Sequence, residues 1–386
     1  MIYLDNSATT PLDSEASKEL INYSCLNFFN PSAIYGKALD VKKDIESAKQ
    51  TIAKSLGASF NDNIIFTASA TEANNMAIMG AYRKNFGKML FTMGEHPSVY
   101  NVALNLKNLG VCVEFINLQP NGEVDYNDLE SKMSENVSFI SVMLCSNETG
   151  AINDLKRIYE LKSKYCPNAI FHSDGVQGYG KIKVNVDYFG VDLFTISGHK
   201  IFGPKGIGAL YVKDKTKLNP IIYGGGQEYA LRSGTENVAS IMALKKAVEN
   251  FGNLNENYSH VQQCFNAFLD NIDKNNVKIN SFGSPYVLSL SFLGVNGETL
   301  VHMMESKNVY ISRGSACSSK KAGNRILENM GLTPEEILGS VRISFSKNTT
   351  LEEAISAGNI LNNCYKELKE KLKWKKLYYL DLEKFI

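Results

Sequence analysis

The chain has 386 residues, 44% of them hydrophobic and 21% charged, the profile of a soluble globular protein long enough for two domains. Lysine plus arginine (41) balance aspartate plus glutamate (40), so the net charge of +1 gives no reason to expect nucleic acid or an anionic membrane as the main partner. No apolar run reaches the roughly 18 residues of a membrane span, and MIYLDNSATTPLD lacks the basic-then-apolar pattern of a signal peptide. Cys25, Cys112, Cys145, Cys166, Cys264, Cys317 and Cys364 are scattered without a CxxC pair, which argues against a disulfide framework and a zinc site. A cytoplasmic protein with reduced thiols is expected.

In chain order, short apolar runs at 63–68, 88–92, 111–116, 137–144, 169–172 and 193–197 read as strands. Helical patterns at 71–86, 98–109 and 154–165 lie between them. This alternation predicts an α/β fold whose mainly parallel sheet is covered on both faces. A long helical pattern begins near Asn237 and runs past Phe265. Strand-like VLSLSF (287–292) and VRISFS (341–346), with further helices, then suggest a smaller α+β domain.

Polar residues interrupt these patterns where strands end. In FTASATEANNMAI, Ser69, Ala70 and Thr71 close a strand and open a helix, where free N–H groups and the dipole favour a phosphate; Thr71 as a plain helix cap is the alternative. His96 in GEHPSV follows the next strand and suits either a structural role or ring stacking and proton transfer beside a cofactor. Asp174 in FHSDGVQGYGK sits at a strand's C-terminal end, either as a helix cap or as partner to a protonated pyridine nitrogen, with Gln177 able to reach a neighbouring oxygen. In SGHKIFGPKGIGALYV, Lys200 follows a buried strand and precedes a glycine-rich hairpin. That context suits a lysine forming a Schiff base with an aldehyde cofactor, with Ser197 and His199 as short donors beside it. Cys317 lies in SRGSACSS, a small polar stretch beside Arg313, Lys320 and Lys321, where a thiolate is favoured.

LDNSATTP, ATEANN, EHPSV, SNETG, HSDGVQ, SGHKIFGPKGIGALY, GGGQEYALRSGTEN, SRGSAC and VRISFS together resemble the NifS/IscS-type cysteine desulfurases of group I, within the class-V aminotransferase family of pyridoxal-phosphate (PLP) enzymes. The resemblance implies the PLP-dependent transferase fold (aspartate-aminotransferase-like, fold type I). The domain boundary is expected inside the long helical pattern from Asn237, with a large PLP-binding domain over 13–255 and a small domain from 1–12 with 256–386 that carries the cysteine loop. The resemblance also implies PLP as a Schiff base on Lys200, with Asp174 on the pyridine nitrogen, Gln177 on the ring hydroxyl and His96 stacked on the ring. Ala70, Thr71, Ser197 and His199 would hold the phosphate, and Thr235 of RSGT would reach the phosphate of the other subunit of a homodimer. Asn147 would lie near ring and substrate, Arg342 would clamp the substrate carboxylate, and Cys317 would become a persulfide. The implied reaction removes sulfur from L-cysteine, gives L-alanine, and passes sulfur to an acceptor protein such as an iron–sulfur cluster scaffold or a tRNA-thiolation enzyme. Selenocysteine lyase or cysteine-sulfinate activity, another class-V aminotransferase activity, and an inactive partner-binding scaffold are the competing expectations. The sequence departs from the family at Gln227, in the segment after Cys317 and in the tail from Lys366.

Overall fold

The computed structural model describes residues 1–59, 62–82, 87–213, 216, 218–313 and 324–382, with 374–382 described by backbone alone. Seven strands form the main sheet: β2 (Asn63–Thr67), β3 (Lys88–Thr92), β4 (Val113–Ile116), β5 (Val137–Ser141), β6 (Ile170–Asp174), β7 (Leu193–Ser197) and β8 (Gly208–Val212), in the order β2-β8-β7-β6-β5-β3-β4. Neighbouring pairs from β7 to β4 are parallel, whereas β8 runs antiparallel to both β7 and β2.

Both faces of this sheet are apolar, and for that reason its strands appear in the sequence as unbroken hydrophobic runs. Ile64, Phe66, Leu90, Ile140 and Phe194 pack into one core with the helices Gly36–Leu56, Leu155–Tyr165 and Val238–Glu249. Their strand neighbours Ile65, Met89, Phe91, Phe139 and Leu193 pack on the opposite face with Ala70–Ala81 and Pro97–Asn108. One-residue alternation separates the two sets, as the pleat requires.

A second core surrounds a three-stranded antiparallel sheet of β9 (Val277–Ile279), β10 (Val287–Phe292) and β12 (Ser340–Ser344), in which β10 is central. Leu288, Leu290, Phe292 and Ile343 meet Val261, Phe268 and Leu361 from the helices Leu254–Asp270 and Leu351–Leu382. The N-terminal β1 (Ile2–Tyr3) pairs with β11 (Val309–Tyr310) and brings Leu4 into this core. No described helix is long and apolar enough to cross a membrane.

The long helix expected from Asn237 is two helices, Val238–Glu249 and Leu254–Asp270. Gly252 takes a φ of +72° in the break, and Asn253 restarts the helix by accepting from the N–H groups of Asn255 and Glu256. The first helix belongs to the sheet core and the second to the smaller core, so the chain changes allegiance at this break.

Candidate active site

Because β8 reverses twice, β2 runs in the same direction as β3, β5, β6 and β7, and the residues that follow these strands collect at one edge of the sheet. They surround a cavity of about 550 Å³. Its lining includes Ala70, Thr71, His96, Asn147, Asp174, Gln177, Ser197, His199, Lys200 and Arg342, together with Ser7, Glu148 and Ser312.

Lys200 sits in the tight turn that leaves β7. Its Nζ donates to the backbone carbonyls of Ser7 (2.5 Å) and Ala8 (2.6 Å), so the N-terminal segment forms one wall. Burial, followed by the positive charges of Lys181 and Arg342, pushes the amine down to about 7, which leaves a large neutral fraction at physiological pH. Asp174 ends β6, and its two oxygens accept from Val176 N (3.0 Å) and Asn74 Nδ2 (2.8 Å). The turn after it is tight: a Cβ on Gly175 would lie 1.9 Å from the Phe194 ring, so only glycine fits. Gln177 donates to Ser7 O at 3.0 Å.

The helix Ala70–Ala81 aims its N-terminus at the cavity. Its cap is Ser69, which accepts from Glu72 N, not Thr71. The first N–H groups of a helix have no intrahelical acceptor, so those of Ala70 and Thr71 suit an anion. Gly208 permits this placement, since a Cβ there would come within 2.8 Å of Ala70 N. His199 bonds Thr9 Oγ1 through Nδ1, and burial with the neighbouring lysines lowers its pKa to about 4.

His96 caps the helix Pro97–Asn108, and its Nδ1 accepts from Ser98 N at 3.2 Å. The proton of the neutral ring therefore belongs on Nε2. Surrounding protein lowers the His96 pKa, with Asp174 opposing the effect and Lys200 adding to it. Ser98 Oγ bonds both His96 Nδ1 and Asn74 Nδ2, and Asn74 continues to Asp174, so one hydrogen-bonded chain joins His96 to Asp174. Beneath them lies Glu95, fully buried, its pKa raised to about 8 by burial and by Asp174.

Arg342, on β12 and 7% exposed, is the contribution of the smaller sheet. Its Nη2 meets Asp5 Oδ1 at 3.0 Å, and its Nη1 meets Asn147 O (3.0 Å) and Glu148 Oε1 (3.4 Å). Three polar atoms of the lining are buried without a protein partner among the described residues: Ser7 Oγ, Asn147 Oδ1 and Arg342 Nε. Such orphans are uncommon among buried polar groups, and these three gather at one cavity.

Thr235 lies apart from this cavity. It is exposed, on the wall of another cavity shared with Arg232, Gly206 and Glu236. Cys317 lies outside the described residues, but the chain on both sides of it is anchored at the site. Ser312 pairs with Arg342 through two backbone hydrogen bonds, and Arg325 donates to the carbonyls of Met93 and Glu95 while stacking on Tyr100. Sequence reasoning passes over Ser7, Asp5, Asn74, Ser98 and Lys181. Only Asn74 carried a local signal, lying one helical turn after Ala70 and Thr71.

Comparison with known proteins gives this arrangement its class. Residues 2–355 match the aminotransferase class-V family, and the chain belongs to it. Cysteine desulfurase IscS of Rickettsia africae (strain ESF-5) is 35% identical over 382 residues, covering 96% of this chain and 92% of that one. A solved NifS-like protein superposes with a TM-score of 0.88 at 29% identity, covering 95% of this chain and 99% of that one. SspA, solved in complex with cysteine, gives 0.81 at 30% identity over 90% of this chain and 99% of that one. Within class V the chain belongs with the NifS/IscS-type cysteine desulfurases, a PLP-dependent group with the fold type I architecture described above.

Proposed function

We propose that the chain is a cysteine desulfurase: it takes sulfur from L-cysteine, releases L-alanine and carries the sulfur on Cys317. The observation that carries this reading is the convergence of Lys200, Asp174, His96 and Arg342 on one cavity whose wall, at Ser312, leads into the Cys317 segment. Cys317 stands five residues beyond Ser312, within about 17 Å at full extension, so it can reach the cavity. Selection for an L-cysteine substrate accords with SspA, whose solved complex holds cysteine.

The lining suits PLP. Asp174 presents a carboxylate for a protonated ring nitrogen, the start of the helix Ala70–Ala81 with Thr71, Ser197 and His199 offers donors for a phosphate, and Lys200 offers an amine for the aldehyde. Bound there, PLP supplies an electron sink that weakens bonds at the substrate's α- and β-carbons. Arg342 would hold the substrate carboxylate, Asn147 would lie near ring and substrate, and Gln177 would meet the ring hydroxyl. Lys200, with its large neutral fraction near pH 7, accepts the α-proton, and His96, protonated on Nε2, returns a proton to the departing product. The Cys317 thiolate attacks the substrate sulfur; the S–S bond forms as the C–S bond breaks, and the bonding pair goes to the substrate carbon. Atoms balance as cysteine plus thiol giving alanine plus persulfide.

Thr235, exposed and away from its own chain's cavity, fits a phosphate contact in a second copy, so we read the enzyme as a homodimer. On this reading 13–255 bind PLP and 1–12 with 256–386 form the smaller domain. The persulfide passes to an acceptor protein, an iron–sulfur scaffold or a tRNA-thiolation enzyme. Incubation of the purified holoenzyme with L-cysteine and a thiol reductant should give alanine and sulfide in equal amounts. Pyruvate and ammonia, or a keto acid formed only with an amino acceptor, would point instead to a lyase or an aminotransferase.

A further inference from the structure

Lys181 follows the Asp174–Gln177 turn and is 6% exposed. Among the described residues no carboxylate pairs with it, and its Nζ makes one hydrogen bond, to Gln177 Oε1 at 2.7 Å. An ammonium taken out of water without a counter-ion is costly, so a position that served packing alone would favour an apolar side chain. The hydrogen bonds lead onward to the site. Gln177 Nε2 donates to Ser7 O at 3.0 Å, and the same carbonyl accepts from Lys200 Nζ at 2.5 Å. A small cavity of about 20 Å³ has both Lys181 and Lys200 on its wall, with Asn6 and Thr10, and has room for about one water.

We propose that Lys181 is a positioning residue for the amine chemistry of Lys200: its buried ammonium opposes a second positive charge on Lys200 and fixes which end of the Gln177 amide faces the cavity. The inference rests on Lys200 being the lysine that binds PLP. The charges facing Lys200 are Lys181 and Arg342, which favour its neutral form, and Asp5 and Asp174, which favour its charged form. His199 beside it is neutral near pH 7. Burial lowers Lys200 most, and the Lys181 charge adds to it more than Arg342 does. Lys181 is itself pushed down by burial only to about 8, so it still carries its charge at neutral pH. Its donor-only head turns Gln177 Oε1 toward itself, which directs the Gln177 NH₂ to Ser7 and the cavity.

The test is a pH titration of the visible absorbance of the PLP-loaded enzyme, which reports the proton on the Lys200 nitrogen. In Lys181→Met the midpoint should rise by about one pH unit, the shift expected when a nearby like charge is removed. Lys181→Gln drops the charge but keeps a donor for Gln177. It should show the same rise, and it takes the place of the methionine variant should that one fail to fold. An unchanged midpoint in a variant whose borohydride-reduced PLP still maps to Lys200 would overturn the proposal. Reduced PLP on a different lysine in the wild type would instead overturn the assignment of Lys200, a separate and distinguishable failure.

Discussion

The seven-stranded sheet feeds the cavity through the ends of its strands, whereas the three-stranded sheet feeds it from the middle of one, at Arg342. The difference follows from strand direction. Parallel strands bring their C-terminal ends to one edge, where turns and helix starts display Thr71, His96, Asp174 and Ser197 without disturbing the apolar layers beneath. In the antiparallel sheet Arg342 is held in the ladder opposite Ser289 and is paired with Asp5 and Glu148, so its placement is tied to the smaller core. On the proposed function, cofactor binding would be a property of the large sheet's edge, and substrate recognition would depend on both cores.

The largest effect should come from the large-sheet side. Lys200→Ala should abolish the visible absorbance and the borohydride-reducible adduct, and alanine formation should fall by at least about 10³-fold. An adduct persisting on another lysine would break the assignment of the cofactor to this edge. Leu290→Ala, at a fully buried position of β10, should cost about 2–5 kcal/mol by urea unfolding followed by circular dichroism. PLP occupancy of the folded variant should stay at the wild-type level; a parallel loss would show that the two cores do not act separately.

Arg342→Lys sharpens the comparison on the substrate side. A lysine keeps the charge but loses the planar fork, so KM for cysteine should rise by about 10–100-fold while the visible absorbance is unchanged. The smallest effect should be at Glu95. Its carboxyl, raised from 4.5 to about 8 by burial and Asp174, is protonated in the folded chain at neutral pH. The unfolded chain releases that proton first, so the stability Glu95 contributes is complete below 4.5 and is lost as pH rises through about 8. Glu95→Gln removes this dependence. It should gain on the wild type by on the order of 2 kcal/mol between pH 5.5 and 8 in urea unfolding.

Much of this edge was legible in the sequence because a polar residue after an apolar run marks a strand end. Asp174, Ser197 and Lys200 are such residues, and the structure gathers them. The strands themselves were legible because both faces are buried. β8 was harder: its opening glycines read as a hairpin, and nothing local shows that GALYV lies between β7 and β2. The helix Gly36–Leu56 carries a legible helical period in Val41, Ile45, Ala48 and Ile52. The walls made by the N-terminal segment were not legible. Lys200 is held by the carbonyls of Ser7 and Ala8, main-chain groups far away in sequence that leave no side-chain signal. Lys181 carried no signal of its own, since only the fold shows that it is buried.

The central claim, that sulfur leaves cysteine for Cys317, is tested most directly by trapping it there. The PLP-loaded enzyme is given L-cysteine for a single turnover, alkylated, digested and mapped by mass spectrometry. The additional sulfur should appear on the peptide containing Cys317 and on none of the peptides of the other six cysteines. Cys317→Ala, with its absorbance intact, should carry no such sulfur and should form alanine at least about 10²-fold more slowly. A persulfide on another cysteine, or alanine and sulfide released by Cys317→Ala at the wild-type rate, would contradict the account.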